Sequence, residues 1–255
     1  MTQKVTLSAL SGIKLIEPGD DIGAITVAAL QANGLVPEEG DVLVVAQKIV
    51  SKAEGRYVDT ATVQPSERAL SLAAEVDKDP RFVEVVLSEA KRVVRYRPGL
   101  LIVEHRLGFV MANAGIDHSN IAAEAGVERV LLLPVDPDGS AHALRQHLMD
   151  AFGMGIGVII SDSFGRAWRK GTVGVALGAA GLPALIDLRG HPDLFGRELM
   201  VTETGFADEI AAAAGLLMGQ ADEAVPIVLV RGLAWSAPDQ PAAALVRPAE
   251  HDLFR

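Results

Sequence analysis

The chain has 255 residues and no cysteine, and 49% of its residues are hydrophobic against 22% that are charged. This balance is typical of a globular protein with a sizeable core, and the lack of cysteine excludes disulfides, thiolate metal sites and a cysteine nucleophile. The formal net charge of −10 makes non-specific binding to nucleic acid or to an anionic membrane a poor hypothesis. No long apolar run and no signal-peptide pattern occur, so we expect a soluble cytoplasmic protein without a membrane anchor.

Strand-like and helix-like patterns alternate through the first quarter of the chain. Val5–Ile16 has the composition of a strand that is interrupted at Ser11-Gly12. The pattern then predicts a helix over Ile22–Ala32, capped by an aspartate, and a strand buried on both faces over Val42–Ala46. The segment Gln47–Ala53 follows this strand without a turn, and its lysines share one face if it is helical.

The middle of the chain predicts two further helices and two strands. One helix runs from Glu67 to about Glu75. The next begins at Asp79-Pro80, a strong start signal, and helical spacing of apolar residues extends it to Val93 through Phe82, Val86 and Ala90. Leu100–Glu104 and Gly108–Ala112 resemble a strand pair.

The last part of the chain repeats this mixture. A helix capped by Ser140 is predicted to reach Phe152, and the strand Gly157–Ser161 leads into a polar loop over Asp162–Gly171. Further elements are two strands, Val130–Leu133 and Ile227–Val230, and an alanine-rich helix, Phe206–Met218. The order predicts an α/β or mixed α+β fold without simple doubly wound repetition.

Standard nucleotide motifs are absent. Gly165–Thr172 has the composition of a P-loop, but its lysine and glycine are transposed. Gly153–Gly157 precedes a strand, whereas a dinucleotide fingerprint follows one. Gly174, Gly178 and Gly181 are too widely spaced, and tight packing or turns explain them better.

Three polar segments follow buried strands and are candidate ligand sites. Asn113–Asn120 carries amides, a carboxylate and a hydroxyl; the alternative is an Asx-rich turn. Ser161–Lys170 combines oxygen ligands suited to a hard divalent cation with three cationic side chains; the alternative is a solvated basic loop. Lys48–Arg56 carries three cations; the alternative is a charged helix surface. Together they indicate a metal–phosphate site rather than an acid–base hydrolase.

Six segments closely resemble one enzyme family, the coenzyme F420-0:L-glutamate ligases, which are γ-glutamyl ligases of deazaflavin cofactor biosynthesis. The resemblance extends from about Gly12 to Gly232, and the segments occur in the family's order. They are Gly40–Arg56, Asn113–Asn120, Leu132–Ala141, Gly157–Gly171, Arg189–Leu199 and Ala207–Gln220.

The resemblance implies an activity that composition and spacing do not reveal. Members use GTP to phosphorylate an acceptor carboxylate, and the amine of L-glutamate then displaces phosphate. Two divalent ions, Mg²⁺ or Mn²⁺, assist, and K⁺ is a further candidate ion. Activation is required because a carboxylate is a poor electrophile for an amine.

The resemblance also assigns residues. The first metal ion is expected at Asp117 and Asp162, and the second at Ser163 and Gln220. We assign Arg166, Arg169 and Lys170 to anionic groups of the substrates as a hypothesis. Contacts with the nucleotide are expected from Asn120 and from a larger set: Ile13, Lys14, Leu15, Ile16, Gln47, Lys48, Lys52 and the segment Met218–Val225, which includes Gly219 and Gln220.

The implied fold is the family's own α/β arrangement, distinct from the P-loop and ATP-grasp classes, in an intertwined homodimer. We expect residues 1–255 to form one ligase module, without the carboxy-terminal flavin-binding, nitroreductase-like domain of actinobacterial relatives. Two alternatives stay open: the same ligase chemistry on another carboxylate-bearing cofactor, and a nucleotide-binding module without catalysis.

Overall fold

A computed structural model describes residues 4–117 and 128–253 of the chain. The helices within these residues are α1 (Ile22–Ala32), α2 (Gln47–Ala53), α3 (Glu67–Val76), α4 (Pro80–Ser88), α5 (Pro137–Phe152) and α6 (Phe206–Met218). The strands are β1 (Thr6–Ala9), β2 (Val42–Ala46), β3 (Tyr57–Asp59), β4 (Ala90–Arg97), β5 (Leu100–His105), β6 (Val110–Ala112), β7 (Arg129–Leu131), β8 (Gly157–Gly165), β9 (Thr172–Ala180), β10 (Ile186–Asp187), β11 (Glu203–Thr204) and β12 (Ile227–Arg231).

The central sheet has five strands in the order β1-β12-β2-β8-β9. Its strands pair antiparallel except for β2 and β8, which are parallel, with Ala46 opposite Ser161. Strand β2 ends at Ala46, but β8 continues to Gly165 and pairs there with β9 alone. The β8–β9 hairpin therefore projects beyond the carboxyl end of β2.

Both faces of the central sheet are covered, which explains the continuous apolar sequence of its inner strands. On one face, side chains of β2 and β8 pack against α1, α2 and α5, with Leu30 and Leu148 fully enclosed. The other face packs against α6 through Ile210, Ala211 and Ala214. A separate core joins α3 and α4 to β5 and β7.

Glycines in β9 allow the helices to approach this edge strand closely. A Cβ at Gly178 would overlap the backbone carbonyl of Pro137 at the start of α5. A Cβ at Gly174 would overlap the carbonyl of Ala211 in α6. The interpretation of these glycines as packing positions is thus confirmed, and the missing side chains bring helix and strand backbones into contact.

Most elements predicted from local patterns are confirmed. The bounds Ile22–Ala32, Val42–Ala46 and Phe206–Met218 agree with the prediction, and the side chain of Asp21 accepts a hydrogen bond from the Ala24 N–H as the expected cap. The segment Gln47–Ala53 is helical. The general expectation of a mixed α/β fold is also confirmed.

Four predicted boundaries are wrong. The first strand is shorter than predicted: Thr6–Ala9 pairs with β12, and the pairing ends with the hydrogen bond from the Leu10 N–H to the Ile227 carbonyl at 3.0 Å. The third helix ends at Ser88, and Ala90–Arg97 forms a strand paired with β5; tertiary pairing therefore overrides the helical spacing of Ala90 and Val93.

The other two corrections concern α5 and β8. The helix begins at Pro137 rather than after Ser140, since Asp136 is the cap and accepts a hydrogen bond from the Gly139 N–H at 3.0 Å. The segment Asp162–Gly165 is strand rather than loop, because β9, which sequence patterns did not predict, supplies its hydrogen bonds.

A buried carboxylate connects the smaller core to the chain leaving β7. Glu89 Oε2 lies 3.1 Å from Arg56 Nη2, 3.0 Å from Arg106 Nε and 3.3 Å from His105 Nε2. Burial alone would raise the pKa of Glu89, but its contacts with His105 and the two guanidinium groups prevail and hold the pKa at about 2. Arg56 also donates to the Leu133 carbonyl at 2.9 Å, so this cluster fixes the segment after β7.

Within residues 4–117 and 128–253, no helix is both long and apolar enough to cross a membrane.

The contact between α6 and β9 predicts opposite effects for two glycine substitutions. Gly174→Ala should lower the free energy of unfolding by about 1–3 kcal/mol, because the new methyl group meets backbone that has no rotamer to relieve the overlap. Gly215→Ala, inside α6 and facing open space, should raise it by up to about 1 kcal/mol through helix propensity. Urea unfolding of both variants measures the difference, and a neutral Gly174→Ala variant would contradict the packing described.

Candidate active site at the carboxyl ends of two parallel strands

The parallel pair β2–β8 brings two polar residues together. Because Ala46 lies opposite Ser161, the next residues, Gln47 and Asp162, emerge side by side. Gln47 is buried, accepts a hydrogen bond from the Ser51 hydroxyl at 2.8 Å through its Oε1, and donates through its amide to the Asp162 carboxylate. Asp162 is therefore oriented by a side chain that is itself fixed within α2.

Asp117 reaches the same region from a different part of the fold. It follows the tight turn Asn113–Gly115, whose three residues have φ values of 51°, 55° and 67°. Two consecutive non-glycine residues in this left-handed region are uncommon and indicate a backbone held by its surroundings. Asp117 then forms two backbone hydrogen bonds with Leu131 of β7, at 2.9 and 3.0 Å, which fix its position.

The two carboxylates share one cationic neighbour. Lys48 Nζ lies 2.6 Å from Asp117 Oδ2. The same ammonium group lowers the pKa of Asp162, whereas the charge of Asp117 raises it. Asp117 and Asp162 therefore interact through space, and the charge of Lys48 offsets their repulsion. Their expected role as metal ligands stays a prediction.

Burial determines the electrostatics of this cluster. Although Asp162 keeps some exposure as a residue, its carboxyl group is surrounded by protein, and this desolvation is the main reason that its pKa is raised. Desolvation likewise lowers the pKa of Lys52, with the neighbouring charge of Lys48 acting in the same direction and Asp117 opposing both. Groups whose charged form is disfavoured in this way are frequent at functional sites.

Ser163 and Gln220 form a second pair. Gln220 Nε2 donates to Ser163 Oγ at 2.9 Å, and the preceding Ser161 hydroxyl contacts the Met218 sulfur at 3.9 Å. Since successive side chains of a strand alternate between faces, Ser163 points away from the side on which Asp162 meets Gln47. Two of the four residues predicted to bind metal, Asp162 and Ser163, thus lie on β8, whereas Asp117 reaches Asp162 from the turn after β6 and Gln220 reaches Ser163 from the segment after α6.

The donor atoms of these pairs suit a hard divalent cation. Carboxylate, hydroxyl and amide oxygens are the ligands that Mg²⁺ and Mn²⁺ prefer. In the part of the chain that the structure describes, no group of three histidine, cysteine, aspartate or glutamate side chains is suited to a metal ion. An ion bound among the described residues here would therefore have two carboxylates at most, with the Ser163 hydroxyl and the Gln220 amide as further oxygen donors.

The residues expected to contact the nucleotide are divided between three places. Lys48 and Lys52 lie in α2 beside the carboxylates. Ile13–Ile16 forms no strand; Ile16 is buried in the sheet core, Leu15 is exposed, and Lys14 Nζ forms an ion pair with Asp20 at 2.7 Å. A hydrogen bond from the Gly19 N–H to the Ala53 carbonyl ties this segment to the end of α2.

Met218 and Gly219 lie at the opposite side of β8, where α6 ends. Gly219 adopts a positive φ of 69° as the helix terminates, and Gln220 follows it toward Ser163. Asn120 lies outside the described residues. The roles of all these residues in binding GTP stay predictions.

The three basic residues between β8 and β9 are separated from the carboxylates. Arg166, Arg169 and Lys170 are exposed in the turn that joins β8 to β9. They do not surround Asp162, which lies in the hairpin stem. Any contact of these cations with a substrate therefore takes place at the end of the hairpin.

Sequence patterns alone missed two features of the site. Gln47 is a candidate site residue only through the resemblance, although a polar side chain directly after a buried strand by itself indicates a candidate ligand site. Trp168, one of two tryptophans in the chain, received no role although it stands among three cations. Its exposure, 86%, is visible only in the structure.

Comparison with known proteins identifies relatives along most of the chain. A family model described as F420-0:Gamma-glutamyl ligase matches residues 12–232. The Coenzyme F420:L-glutamate ligase of Methanothermobacter thermautotrophicus is 44% identical over 253 residues, which cover 98% of this chain and 99% of the relative. The enzymes of the same name from Methanopyrus kandleri and Archaeoglobus fulgidus are 47% and 45% identical, over 94% and 90% of this chain and 93% and 88% of their own lengths.

The balance of charges predicts non-additive effects on stability. In metal-free buffer at low salt, Lys48→Met should lower the free energy of unfolding by about 1 kcal/mol, since it leaves Asp117 and Asp162 facing each other. Asp162→Asn should stabilise the Lys48→Met variant more than it stabilises the wild type. A double-mutant cycle in urea measures this coupling; additive effects would show that Lys48 does not balance Asp162.

Proposed function

Because the chain belongs to the F420-0:gamma-glutamyl ligase family, we propose that it joins L-glutamate to coenzyme F420-0 through a γ-glutamyl amide bond. The relatives' names specify the coenzyme and the amino acid, and the match covers nearly the whole length of both chains. The observation that carries the proposal for this chain is the cluster of Asp117, Asp162 and Lys48 at the end of β2 and β8.

The proposed reaction uses GTP and proceeds in two steps. A carboxylate oxygen of the acceptor attacks the γ-phosphorus of GTP, and GDP leaves with the electron pair of the broken P–O bond. The amine of L-glutamate then attacks the carbonyl carbon of the acyl phosphate; the C–N bond forms, inorganic phosphate leaves, and the amine gives up a proton. Activation is needed because the free carboxylate offers no leaving group.

The described side chains suit phosphoryl transfer, which depends on positioning and on charge stabilisation. Lys48 and Lys52 place two ammonium groups beside the carboxylates, and both can neutralise phosphate oxygens. Gln47 orients Asp162 by a hydrogen bond, so this carboxylate has a fixed direction before any ligand binds. The desolvation of Asp162 and Lys52 strengthens the electrostatic interactions that these two groups make.

Divalent ions fit the same arrangement. Asp117 and Asp162 would hold one Mg²⁺ or Mn²⁺, and Ser163 and Gln220 would help to hold a second. Such ions supply neutralisation of the phosphate charge during transfer. The raised pKa of Asp162 supports this assignment. Burial and the charge of Asp117 disfavour the ionised form of Asp162, and a cation bound between the two carboxylates would stabilise that form.

We further propose that the protein is a homodimer. The segment Ile186–Thr204, named here the arm, forms a hydrogen-bonded extension in which the Leu188 N–H donates to Thr202 and the Leu199 N–H to His191. Four of its large apolar side chains are strongly exposed: Leu194 (99%), Phe195 (89%), Met200 (75%) and Val201 (84%). An ordered segment that presents so much apolar surface supports contact with a second copy.

The ligase proposal predicts a defined product. Incubation of the protein with F420-0, L-glutamate, GTP and Mn²⁺ should give F420 with one or more added glutamyl units, together with GDP and phosphate, as detected by mass spectrometry. Asp162→Asn should abolish turnover while keeping the fold, and Mn²⁺ should raise the melting temperature of the wild type but not of this variant. GTP binding without any product would favour a non-catalytic module, and product from a different carboxylate alone would replace the acceptor.

The dimer proposal predicts a change in mass when the arm is made polar. The double variant Leu194→Ser/Phe195→Ser should be a monomer by light scattering at concentrations at which the wild type is a dimer. It lacks the two most exposed apolar side chains of the arm, which are proposed to contact the second copy. Leu216→Ser, on α6 and 79% exposed in the wild type, is the matched control and should leave the dimer intact. A dimeric double variant would exclude Leu194 and Phe195 from the interface, and a monomeric wild type would exclude the dimer.

A further inference from the structure

The turn between β8 and β9 carries an exposed aromatic ring that the proposed chemistry does not use. This turn, Arg166–Gly171, is named here the hairpin tip. Trp168 at its centre is 86% exposed, whereas the other tryptophan of the chain, Trp235, is partly buried and lies 5.8 Å from the Phe206 ring. An exposed indole is a large apolar surface in water, and such surfaces are characteristic of binding sites.

The backbone at Trp168 is also unusual. Its φ is +65°, in the left-handed region that bulky side chains rarely adopt. This conformation costs about 1 kcal/mol or more relative to an ordinary turn residue. Hydrogen bonds of the β8–β9 stem, which extends to Gly165 and Thr172, hold the turn in place. Strain of this kind at an exposed position points to a functional reason for presenting the ring.

The charge around the ring is strongly positive. Arg166, Arg169 and Lys170 flank Trp168, and all three side chains are exposed. No aspartate or glutamate occurs between Asp162 and Asp187. The chain as a whole has a net charge of −10, so this local positive charge favours an anionic ligand. The exposed ring of Trp168 favours a ligand that is also aromatic.

The hairpin tip extends away from α2 and the segment Ile13–Ile16, which hold most of the expected nucleotide-contact residues. Helix α2 packs Ile49 and Val50 against the sheet, and the segment before Gly19 is tied to its end. The hairpin instead continues along β8, so its tip begins about 13 Å beyond Asp162, at ~3.3 Å per residue. In phosphoryl transfer the attacking and leaving oxygens are in line, so the acceptor approaches the phosphorus from the side opposite the nucleotide.

We propose that the hairpin tip binds the acceptor: Trp168 stacks on its aromatic deazaflavin ring, and the three cations hold the anionic groups of its tail. This inference rests on the proposed function, since F420-0 supplies both a planar ring and an anionic tail. The carboxylate at the end of the tail then reaches the site at Asp162 while the ring stays at the tip. Trp168 is in this view a residue that determines acceptor affinity and takes no part in bond making.

Binding of F420-0 to variants of Trp168 tests the proposal directly. The intrinsic fluorescence of the deazaflavin allows its dissociation constant to be measured by anisotropy without GTP. Trp168→Ala should weaken F420-0 binding roughly 10-fold, the size expected for the loss of one stacked aromatic ring. Trp168→Phe should keep most of the affinity, and Trp168→Leu, which is apolar but cannot stack, should behave like the alanine variant. Leu216→Ala is the control for loss of an exposed apolar side chain elsewhere.

A fragment of the acceptor separates the ring from the tail. The deazaflavin with its ribityl chain, but without phosphate and carboxylate, should bind more weakly to Trp168→Ala than to the wild type. Arg169→Gln should weaken F420-0 but leave the affinity for the fragment unchanged. In steady-state assays, Trp168→Ala should raise the KM for F420-0 while the KM values for GTP and glutamate stay within about 2-fold, because the loss is confined to one stacked ligand.

The possible outcomes distinguish this inference from the proposed function. If the wild type binds and ligates F420-0 and Trp168→Ala does so equally well, stacking is wrong and the ligase stands. If Trp168→Ala instead weakens GTP, the ring at the tip is guanine and the assignment to the acceptor is wrong. If the wild type shows no binding of F420-0, both proposals fall. Light scattering on Trp168→Ala completes the set, since a change to monomer would place Trp168 in a subunit interface and overturn its role with the acceptor.

Discussion

The parallel pairing of β2 with β8 is the constraint on which the candidate site depends. Both strands run in the same direction with Ala46 opposite Ser161, so their chains leave the sheet at one edge. One continues directly into α2 and the other into a hairpin stem. Gln47 and Asp162 consequently meet, and Lys48 follows at once with its ammonium group. In the described sheets this is the one parallel pair, and ligand sites of open α/β sheets characteristically lie at such carboxyl edges.

Placement of charge follows from the same geometry. Two groups of cations lie along this edge of the acidic chain's fold: Lys48 and Lys52 beside the two carboxylates, and three basic residues at the hairpin tip. Desolvation raises the pKa of Asp162 and lowers that of Lys52, so both groups lie in surroundings that disfavour their charged forms. Under the proposed function, a ligand that combines phosphate with a divalent ion would relieve both, at a cluster whose charges are unfavourable for stability in the protein alone.

Close backbone approach and local strain hold this arrangement in position. Gly174 and Gly178 let α6 and α5 lie directly on β9, so the hairpin stem is clamped by helix backbones. The left-handed turn at Asn113–Gly115 directs the chain toward Asp117, and β7 then fixes it by two hydrogen bonds. Glu89 contributes from further away, because its pairs with Arg56 and Arg106 secure the segment after β7.

The sequence by itself determined the elements whose signals are local: the Asp21 cap, the buried strand Val42–Ala46, the helix Phe206–Met218 and the candidate polar segments. Periodicity, caps and strand composition depend on neighbours within a few residues, so they can be read directly. It failed at Ala90–Arg97 and Asp162–Gly165, where pairing with β5 and β9 decided the outcome. Only the tertiary structure decided that Asp117 lies beside Lys48, that the side chains of Asp162 and Ser163 lie on opposite faces of β8, and that Trp168 is exposed. These facts depend on strand register and on the alternation of side chains, which are set by contacts between residues far apart in the chain.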